Sequence, residues 1–237
     1  MDISAIMKFL TEVAANNNRP WFQEHKQEYE HAKAEFEHGV DDLIKAIAIF
    51  DPTIAHLTAK DCCYRFYRDI RFSKDKSPYK RHFGAYISSH GRQGLHGGYY
   101  LHLQPGHSLF AGGCWWLPTN ILTSMRNEIM GNIDEWRRCV EAPEFVSLFG
   151  RPSDSEWRDG YEVTPKGFGG DKLKTAPKDF PRDYEFLDYL KMKNYCAWHS
   201  VNDDFFKSAD WTQKAADIFK VAKPMMDFVN SVVDDYE

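Results

Sequence analysis

The clearest signal of β-structure in the sequence is the stretch Gly98-Tyr-Tyr-Leu-His-Leu-Gln-Pro-Gly-His-Ser-Leu-Phe-Ala-Gly-Gly113. Two runs rich in aromatic and apolar residues lie on either side of Pro105-Gly106, a dipeptide that favours a turn, so the pattern predicts a β-hairpin. The run Phe83-Gly-Ala-Tyr-Ile-Ser-Ser89 predicts an earlier strand, and Asn194-Tyr-Cys-Ala-Trp-His-Ser-Val201 predicts a late one.

Helical patterns flank these strands. Apolar residues recur every three or four positions from Ile3 to Ala14, which predicts a first helix. Asn18 is suited to capping a second helix, which tolerates Pro20 in its first turn and continues to Ile47. Further helices are predicted from Pro118 to Ile133, Glu144 to Phe149, Tyr184 to Met192 and Trp211 to Val233, the last kinked or divided by Pro224.

The order of these elements predicts an α+β fold, in which an antiparallel or mixed sheet is covered by N- and C-terminal helices. The stretch from Arg151 to Pro181 is rich in glycine, proline and lysine, and we expect it to be mostly loop. No repeat or low-complexity linker interrupts the chain, and 237 residues are compatible with one large domain. We therefore predict a single domain over residues 1–237.

The composition excludes several classes of protein. Hydrophobic residues make up 43% of the chain, which is enough for a sizeable core and unlike a disordered chain. The sequence has no apolar run long enough for a membrane span and does not begin like a signal peptide, so we expect a cytoplasmic protein without a membrane partner. The five cysteines are odd in number and lack C-x-x-C spacing, so we expect reduced thiols and no metal. The sequence contains no Walker loop or Rossmann fingerprint, so we expect no cofactor.

Positive charge is concentrated in the segment from Arg65 to His82, which we call the basic segment. It holds seven lysines and arginines against two aspartates, whereas the whole chain has a net charge of −5. A second stretch, from Lys166 to Arg182, holds five positive and two negative residues. Like charges this close repel one another, so an anionic ligand or pairing with carboxylates is needed to offset them.

The basic segment has a functional and a structural interpretation. Arginine forks bind phosphate or carboxylate at two points, and lysine adds point charge. In the structural alternative the arginines pair with Asp69 and other acids, which would lower the pKa of Asp69, while the lysines are solvated. If the segment is functional, the candidate ligand-binding residues are Arg65, Arg68, Asp69, Arg71, Lys74, Lys76 and Lys80, joined by Lys174 and Lys178 from the second stretch.

At these residues the chain resembles the DUF2461 family. The similarity is carried by Asn17-Asn-Arg-Pro-Trp-Phe22, by Tyr67-Arg-Asp-Ile-Arg-Phe-Ser-Lys-Asp-Lys-Ser-Pro-Tyr-Lys80, by Gly112-Gly113 with Pro118, and by Leu173-Lys-Thr-Ala-Pro-Lys178. It spans nearly the whole chain. The resemblance implies no particular activity, cofactor or catalytic residue. Asp179 stands where we expect a glycine after Pro-Lys.

The sequence contains only weak matches to known catalytic or metal-binding motifs. Ser73-Lys-Asp-Lys76 fits the S-x-x-K pattern of serine acyl-enzymes, but that chemistry needs a helix at the serine, and Pro78 makes one doubtful. Gly167, Gly169 and Gly170 could let the backbone approach a ligand. The histidines that could bind a metal lack the i, i+4 spacing of a helical site: His90, His96 and His102.

Three functions remain open on the sequence. The first is binding of a small phosphate- or carboxylate-bearing ligand, with or without catalysis. The second is nucleic-acid binding, in which the same cations contact phosphates and Tyr67, Phe72 or Tyr79 stack on bases; the net charge of −5 counts against an extended footprint. The third is an interaction module whose basic segment is structural or docks an acidic partner. The sequence does not indicate the oligomeric state.

Overall fold

The predicted hairpin is present in the computed structural model, which describes residues 1–152, 157–158, 161–162 and 164–236. Its strands are β2 (Gly98–Leu103) and β3 (Ser108–Cys114). Gly106 lies in the connecting turn with φ of +71°, a left-handed conformation that glycine adopts without a steric penalty. The turn chemistry of Pro105-Gly106 therefore produces the predicted reversal.

Five strands form one antiparallel sheet, in the order β1-β2-β3-β7-β6. Strands β1 (Phe83–Ile87) and β7 (Tyr195–Val201) match the two other predicted strands. Strand β6 (Lys166–Phe168) pairs antiparallel with β7, with Lys166 opposite His199 and Phe168 opposite Ala197. Strands β4 (Trp157–Arg158) and β5 (Tyr161–Glu162) form a separate pair.

The stretch from Arg151 to Pro181, part of which lies outside the described residues, is mostly loop where it is described, as predicted, but β6 within it was not predicted. The reason is tertiary pairing with β7, a strand that lies much further along the chain. Gly167 allows β6 to lie close to the Trp198 ring of β7. A Cβ atom at this position would stand 2.0 Å from Cζ2 of Trp198. The glycine that suggested a loop instead gives an indole ring room to pack.

Helices account for the rest of the α+β architecture. Short 3-10 helices cover Pro52–Ile54 and Asp203–Lys207. The α-helices are α1 (Ile3–Ala15), α2 (Arg19–Glu24), α3 (Lys26–Ala48), α4 (Ala59–Cys62), α5 (Thr119–Gly131), α6 (Ile133–Val140), α7 (Pro143–Phe149), α8 (Leu187–Lys191) and α9 (Trp211–Asp234). No helix within the described residues is long and apolar enough to cross a membrane.

Two predicted helices are divided in the structure. Asn18 caps α2 as predicted, accepting a hydrogen bond from the Trp21 backbone N–H, but the helix breaks at His25 (φ −107°, ψ 27°). The His25 ring stacks on Trp21 with centroids 4.1 Å apart, and its Nδ1 lies 2.9 Å from the Trp21 carbonyl oxygen. The helix predicted up to Ile133 ends at Gly131, because Asn132 has a non-helical backbone between α5 and α6.

Pro224 does not divide the last helix. Helix α9 continues through it, so the predicted division was wrong. A proline inside a helix removes one backbone donor. Burial of the apolar face of α9 offsets that loss, because residues on both sides of the proline are fully or nearly fully buried, among them Phe219, Ala222, Met225 and Val229.

The chain divides into two units, which we call unit 1 (Met1–Arg92, Tyr100–Leu109 and Val201–Ala216) and unit 2 (Gln93–Tyr99, Phe110–Ser200 and Asp217–Glu237). In unit 1 the rings of Phe9, Phe36 and Phe66 surround Phe83 of β1. In unit 2 the ring of Trp136 packs against Phe168, Tyr189, Tyr195 and Phe228. The single domain expected for residues 1–237 stays a prediction.

Candidate functional site

The basic segment folds in unit 1 as two short extended arms joined by a loop. Tyr67 bridges to Tyr79 in antiparallel fashion, and the Arg68 N–H donates to the Pro78 carbonyl at 2.9 Å. The Asn17 side chain holds the second arm, because its amide donates to the Tyr79 carbonyl and its oxygen accepts from the Tyr79 N–H, both at 3.0 Å. The buried Tyr79 ring stacks on Phe22 at 3.9 Å. Two of the sequence motifs therefore meet in one packed structure.

Arg68 is bound inside this loop. Its Nη1 donates to Asp75 Oδ2 at 2.6 Å and to the Ser77 carbonyl at 3.1 Å, while its Nη2 donates to Ser73 Oγ at 3.2 Å. Hydrogen bonds from Ser77, and then from Arg68, hold the pKa of Asp75 well below its usual range. The acid that pairs with Arg68 is thus Asp75, one of the other acids that the structural alternative included. The serine of the S-x-x-K pattern lies in a loop, without the helix that pattern requires.

Arg71 and Lys76 also have partners within the loop. The Arg71 guanidinium binds Asp69 at two points, Nε to Oδ1 at 3.0 Å and Nη2 to Oδ2 at 2.7 Å, which lowers the pKa of Asp69. The Lys76 ammonium donates to the Ile70 carbonyl at 3.0 Å. Lys74 is exposed. For Arg68, Asp69, Arg71 and Lys76 these contacts favour the structural interpretation, and ligand binding by them stays a prediction.

Lys80 differs from the other cations of the segment. Its ammonium lies over the Tyr64 ring, 5.2 Å from the centroid, and the side chain is half-buried. Among the described residues no carboxylate pairs with it. Burial, and then the charge of Arg65, lower its pKa. Lys80 is therefore a half-buried cation whose charge the described part of the protein does not balance.

Two histidines lie beside Lys80. The rings of His82 and His102 lie in contact, with centroids 4.1 Å apart and an interplanar angle of 31°. Burial, then the other histidine and Lys80, lower the pKa of His82 to about 2. Burial lowers the pKa of His102 to about 4, with the charge of Lys80 adding to the effect and a hydrogen bond to Gln104 opposing it. Both imidazoles are consequently neutral at pH 7.

These side chains form a continuous group that we call the Lys80 face. Tyr100, His102 and Gln104 alternate along β2 and its end, on the side of the strand opposite the buried Leu101 and Leu103. Within the described residues, no acid is among the groups that shift the pKa values of Lys80, His82 and His102. An electropositive, partly desolvated face of this kind favours an anion, since charge interactions strengthen as water is excluded. The members are Tyr64, Arg65, Lys80, His82, Tyr100, His102 and Gln104.

Sequence reasoning selected Arg65 and Lys80 as ligand-binding residues but missed the other five members of the face. Each of the five is an ordinary residue taken singly. The signal was present in the hairpin itself, where polar side chains alternate with Leu101 and Leu103 at a period of two. Applying that alternation would have placed three polar groups on one face.

The second basic stretch lies in unit 2. Lys172 forms a bridge to Met192, and Lys174 and Lys178 are exposed. A site shared with the basic segment stays a prediction. Asp179, expected to be a glycine, has φ of +70°, the left-handed conformation that explains why glycine suits this position. Gly169, with φ of +62°, faces Met192, so core packing and backbone conformation account for it without a ligand.

Burial makes several of the cysteine thiols hard to ionise. All five cysteines are free, and burial raises the pKa of Cys62 and of Cys196 to about 12 and that of Cys114 to about 11. These thiols are protonated at neutral pH and are weak nucleophiles. The described residues contain no group of three or more side chains placed to hold a metal ion.

Comparison with known proteins addresses the family of the chain. No curated protein and no solved structure matches it. The family described as "Conserved hypothetical protein (DUF2461)" matches residues 5–228 of the 237-residue chain. The match includes every motif on which the resemblance rested, from Asn17 to Lys178. Because it covers nearly the whole sequence, the protein belongs to the DUF2461 family.

Proposed function

We propose that this protein binds a small ligand carrying a phosphate or carboxylate group, and that the ligand's anionic group contacts Lys80. The observation that carries the proposal is the half-buried Lys80 ammonium, which has no carboxylate partner among the described residues. A cation placed in this way lacks a compensating charge, and a bound anion would supply it. Arg65 adds a second positive charge close to Lys80.

The neutral imidazoles beside Lys80 narrow the ligand class. A neutral imidazole accepts a hydrogen bond at one ring nitrogen and donates one at the other. His82 therefore suits a hydroxyl or protonated oxygen next to the anionic group, as in a hydroxy acid or a phosphate monoester. The aromatic ring of Tyr64 offers an apolar surface at the edge of the same site.

The first prediction concerns thermal stability in phosphate. Millimolar phosphate should raise the melting temperature above its value in chloride at matched ionic strength, because a ligand that binds only the native state stabilises it. A tenfold excess over Kd adds about 1.4 kcal/mol. For a chain of this size that corresponds to a shift of about 3–6 °C. Differential scanning calorimetry measures the increment.

Two single variants separate a site from general salt effects, since phosphate also stabilises proteins by exclusion from their surfaces. Lys80→Gln should fold, because it removes a charge that burial penalises, and should lose the phosphate-specific increment. Lys74→Gln removes an exposed charge from the same segment and should keep it. A folded Lys80→Gln protein that responds to phosphate as the parent does would refute the proposal. Loss of the increment in Lys74→Gln alone would place the anion at the loop instead.

Nucleic-acid binding is a second candidate, favoured by one observation. Phe72 is 95% exposed at the tip of the loop, and the Arg71 guanidinium lies 5.8 Å from its ring centroid. An exposed ring among cations is a stacking surface for an unpaired base. Fluorescence anisotropy with a labelled single-stranded oligonucleotide distinguishes this function. Binding that weakens steeply with salt and is lost in Phe72→Ala supports it, and absence of binding at low salt excludes it.

A further inference from the structure

Three side chains form a hydrogen-bonded chain on the Lys80 face. The Tyr100 hydroxyl oxygen lies 3.0 Å from Nδ1 of His102, and Nε2 of His102 lies 3.1 Å from Oε1 of Gln104. All three come from alternate positions of one strand and its end, so the backbone of β2 fixes their order and spacing. All three belong to unit 1.

The chemistry of Gln104 sets the direction of the proton in this chain. Its Oε1 atom is a carbonyl oxygen and can only accept, so the proton of the neutral His102 ring resides on Nε2. Nδ1 then carries a lone pair, and the Tyr100 hydroxyl donates to it. The arrangement is that of a general base directed at a hydroxyl group, with a third residue fixing the ring's tautomer and orientation.

The groups around the chain keep the His102 ring neutral, so the Nδ1 lone pair is available to the Tyr100 hydroxyl. The His102 ring lies against the His82 ring at an interplanar angle of 31°, and the charged or titratable groups that act on it are Lys80, His82 and His107. No carboxylate of the described residues is among them. The Tyr100 ring lies across Gly84, where a Cβ atom would stand 3.0 Å from the hydroxyl oxygen. Glycine at this position leaves the hydroxyl end of Tyr100 its space, and the Tyr100 side chain is half-buried.

We propose that Tyr100 is a catalytic residue that acts as acid, base or nucleophile on the ligand bound at Lys80, with His102 as its proton acceptor and Gln104 as a positioning residue. The location of the substrate rests on the proposed function, because the anionic group at Lys80 places the rest of the ligand beside Tyr100. In the elementary step the proton leaves the Tyr100 oxygen for Nδ1 of His102. The phenolate that remains is stabilised by the nearby positive charge, and the imidazolium keeps its hydrogen bond to Gln104.

We call the hydrogen-bonded chain of Tyr100, His102 and Gln104 the relay. A covalent probe tests the relay without knowledge of the natural substrate. The probe is benzenesulfonyl fluoride, which is uncharged. The Tyr100 oxygen attacks sulfur, an S–O bond forms, the S–F bond breaks and fluoride leaves, while the phenolic proton passes to His102. Peptide mass spectrometry should locate the adduct on Tyr100 and show faster labelling than at Tyr67, which is 49% exposed and serves as an internal reference.

The pH dependence of labelling provides a readout that a structural role would not change. His102 stays unprotonated above pH 5, since its pKa is about 4, so labelling of Tyr100 should vary little between pH 5 and 7.5. An ordinary tyrosine reacts as its phenolate, whose population rises about tenfold per pH unit below a pKa near 10. N-acetyltyrosinamide labelled in the same buffers should follow that steep dependence.

Three variants identify the roles. His102→Gln removes the base and should slow labelling of Tyr100 by about tenfold or more. Gln104→Leu should slow it as well, whereas Gln104→Glu, which makes His102 more basic, should accelerate it. The two Gln104 variants change a half-buried side chain just beyond the end of β2, where a substitution should disturb folding little. They therefore still test the relay if the His102→Gln protein does not fold. Adducts on Tyr64 or Lys80 without one on Tyr100, or Tyr100 rates unchanged in the variants, would overturn the relay.

A second probe separates failure of the relay from failure of the anion site. 4-(Fluorosulfonyl)benzoate carries a carboxylate that Lys80 would bind. If both proposals hold, it labels Tyr100 faster than the neutral probe, and phosphate suppresses the difference. Labelling by the neutral probe that shows the predicted pH and variant dependence, without any advantage for the anionic probe, supports the relay and refutes the anion site. Absence of Tyr100 labelling by the neutral probe overturns the relay whatever the anionic probe does.

Discussion

Replacing Gly113 with alanine should lower the free energy of unfolding by about 3 kcal/mol or more. Gly113 has φ of +123°, a conformation that costs other residues about 1–2 kcal/mol. A Cβ atom there would stand 2.0 Å from the carbonyl oxygen of Tyr195 in the neighbouring strand β7. That oxygen belongs to the backbone and cannot rotate away, so the strands would have to separate, at a further cost of about 1–3 kcal/mol.

Two other glycines serve as controls in urea denaturation. Gly106 has φ of +71°, and no atom lies within 4 Å of the place a methyl group would take, so Gly106→Ala should cost about 1 kcal/mol from conformation alone. Gly131 ends α5 and has the same open space around it, and Gly131→Ala should be neutral or stabilising by up to about 1 kcal/mol. A Gly113→Ala protein as stable as the Gly106→Ala protein would show that β3 and β7 do not approach as closely as described.

Replacing Arg126 with methionine should destabilise the protein by about 2 kcal/mol. Arg126 is only 7% exposed, and its guanidinium binds two neutral carbonyls: Nε donates to Leu190 at 2.7 Å and Nη2 donates to Met192 at 3.1 Å. These groups lie at and just beyond the end of α8, where helical carbonyls lack partners within the helix. Hydrogen bonds from charged donors contribute about 1.5–3 kcal/mol each, and relief of the buried charge offsets part of the loss.

The variant Arg126→Lys tests whether the stabilisation by Arg126 depends on its two separated guanidinium donors or only on its positive charge. Arg126→Lys keeps the charge but offers one ammonium group in place of two separated donors, so it should lose as much stability as Arg126→Met or more. Helix propensities of arginine, lysine and methionine are similar, and so α5 itself is little affected. An Arg126→Met protein with the urea midpoint of the parent would mean that the two bonds give no net stabilisation.

Local chemistry explains which elements the sequence could predict. The cap at Asn18, the hairpin around Pro105-Gly106 and the helical stripe of α1 each depend on residues close together in the chain, and each was predicted. Strand β6 depends on β7 and was missed. The continuity of α9 through Pro224 depends on burial of its apolar face, which propensity alone does not reveal.

The pairing of charges at the candidate site was likewise not predictable from the sequence. Sequence identified the basic segment but could not tell which of its cations would be paired, because pairing follows the path of the loop. Arg71 reaches Asp69 two residues away, Arg68 reaches Asp75 across the loop, and Lys80 reaches no carboxylate among the described residues. The lysine that matters in our proposal was therefore one candidate among several until the fold was known.

The pKa of Lys80 is the sharpest test of anion binding at the Lys80 face. Carbon-13 NMR of the lysine Cε atoms, with the resonance assigned from Lys80→Gln, gives this pKa in chloride and in phosphate. We predict a pKa below that of an ordinary lysine in chloride, because of burial and Arg65, and an upward shift on addition of phosphate. The shift must be upward, because a bound anion favours the charged form and linkage is reciprocal. An ordinary lysine pKa that phosphate leaves unchanged would contradict the account.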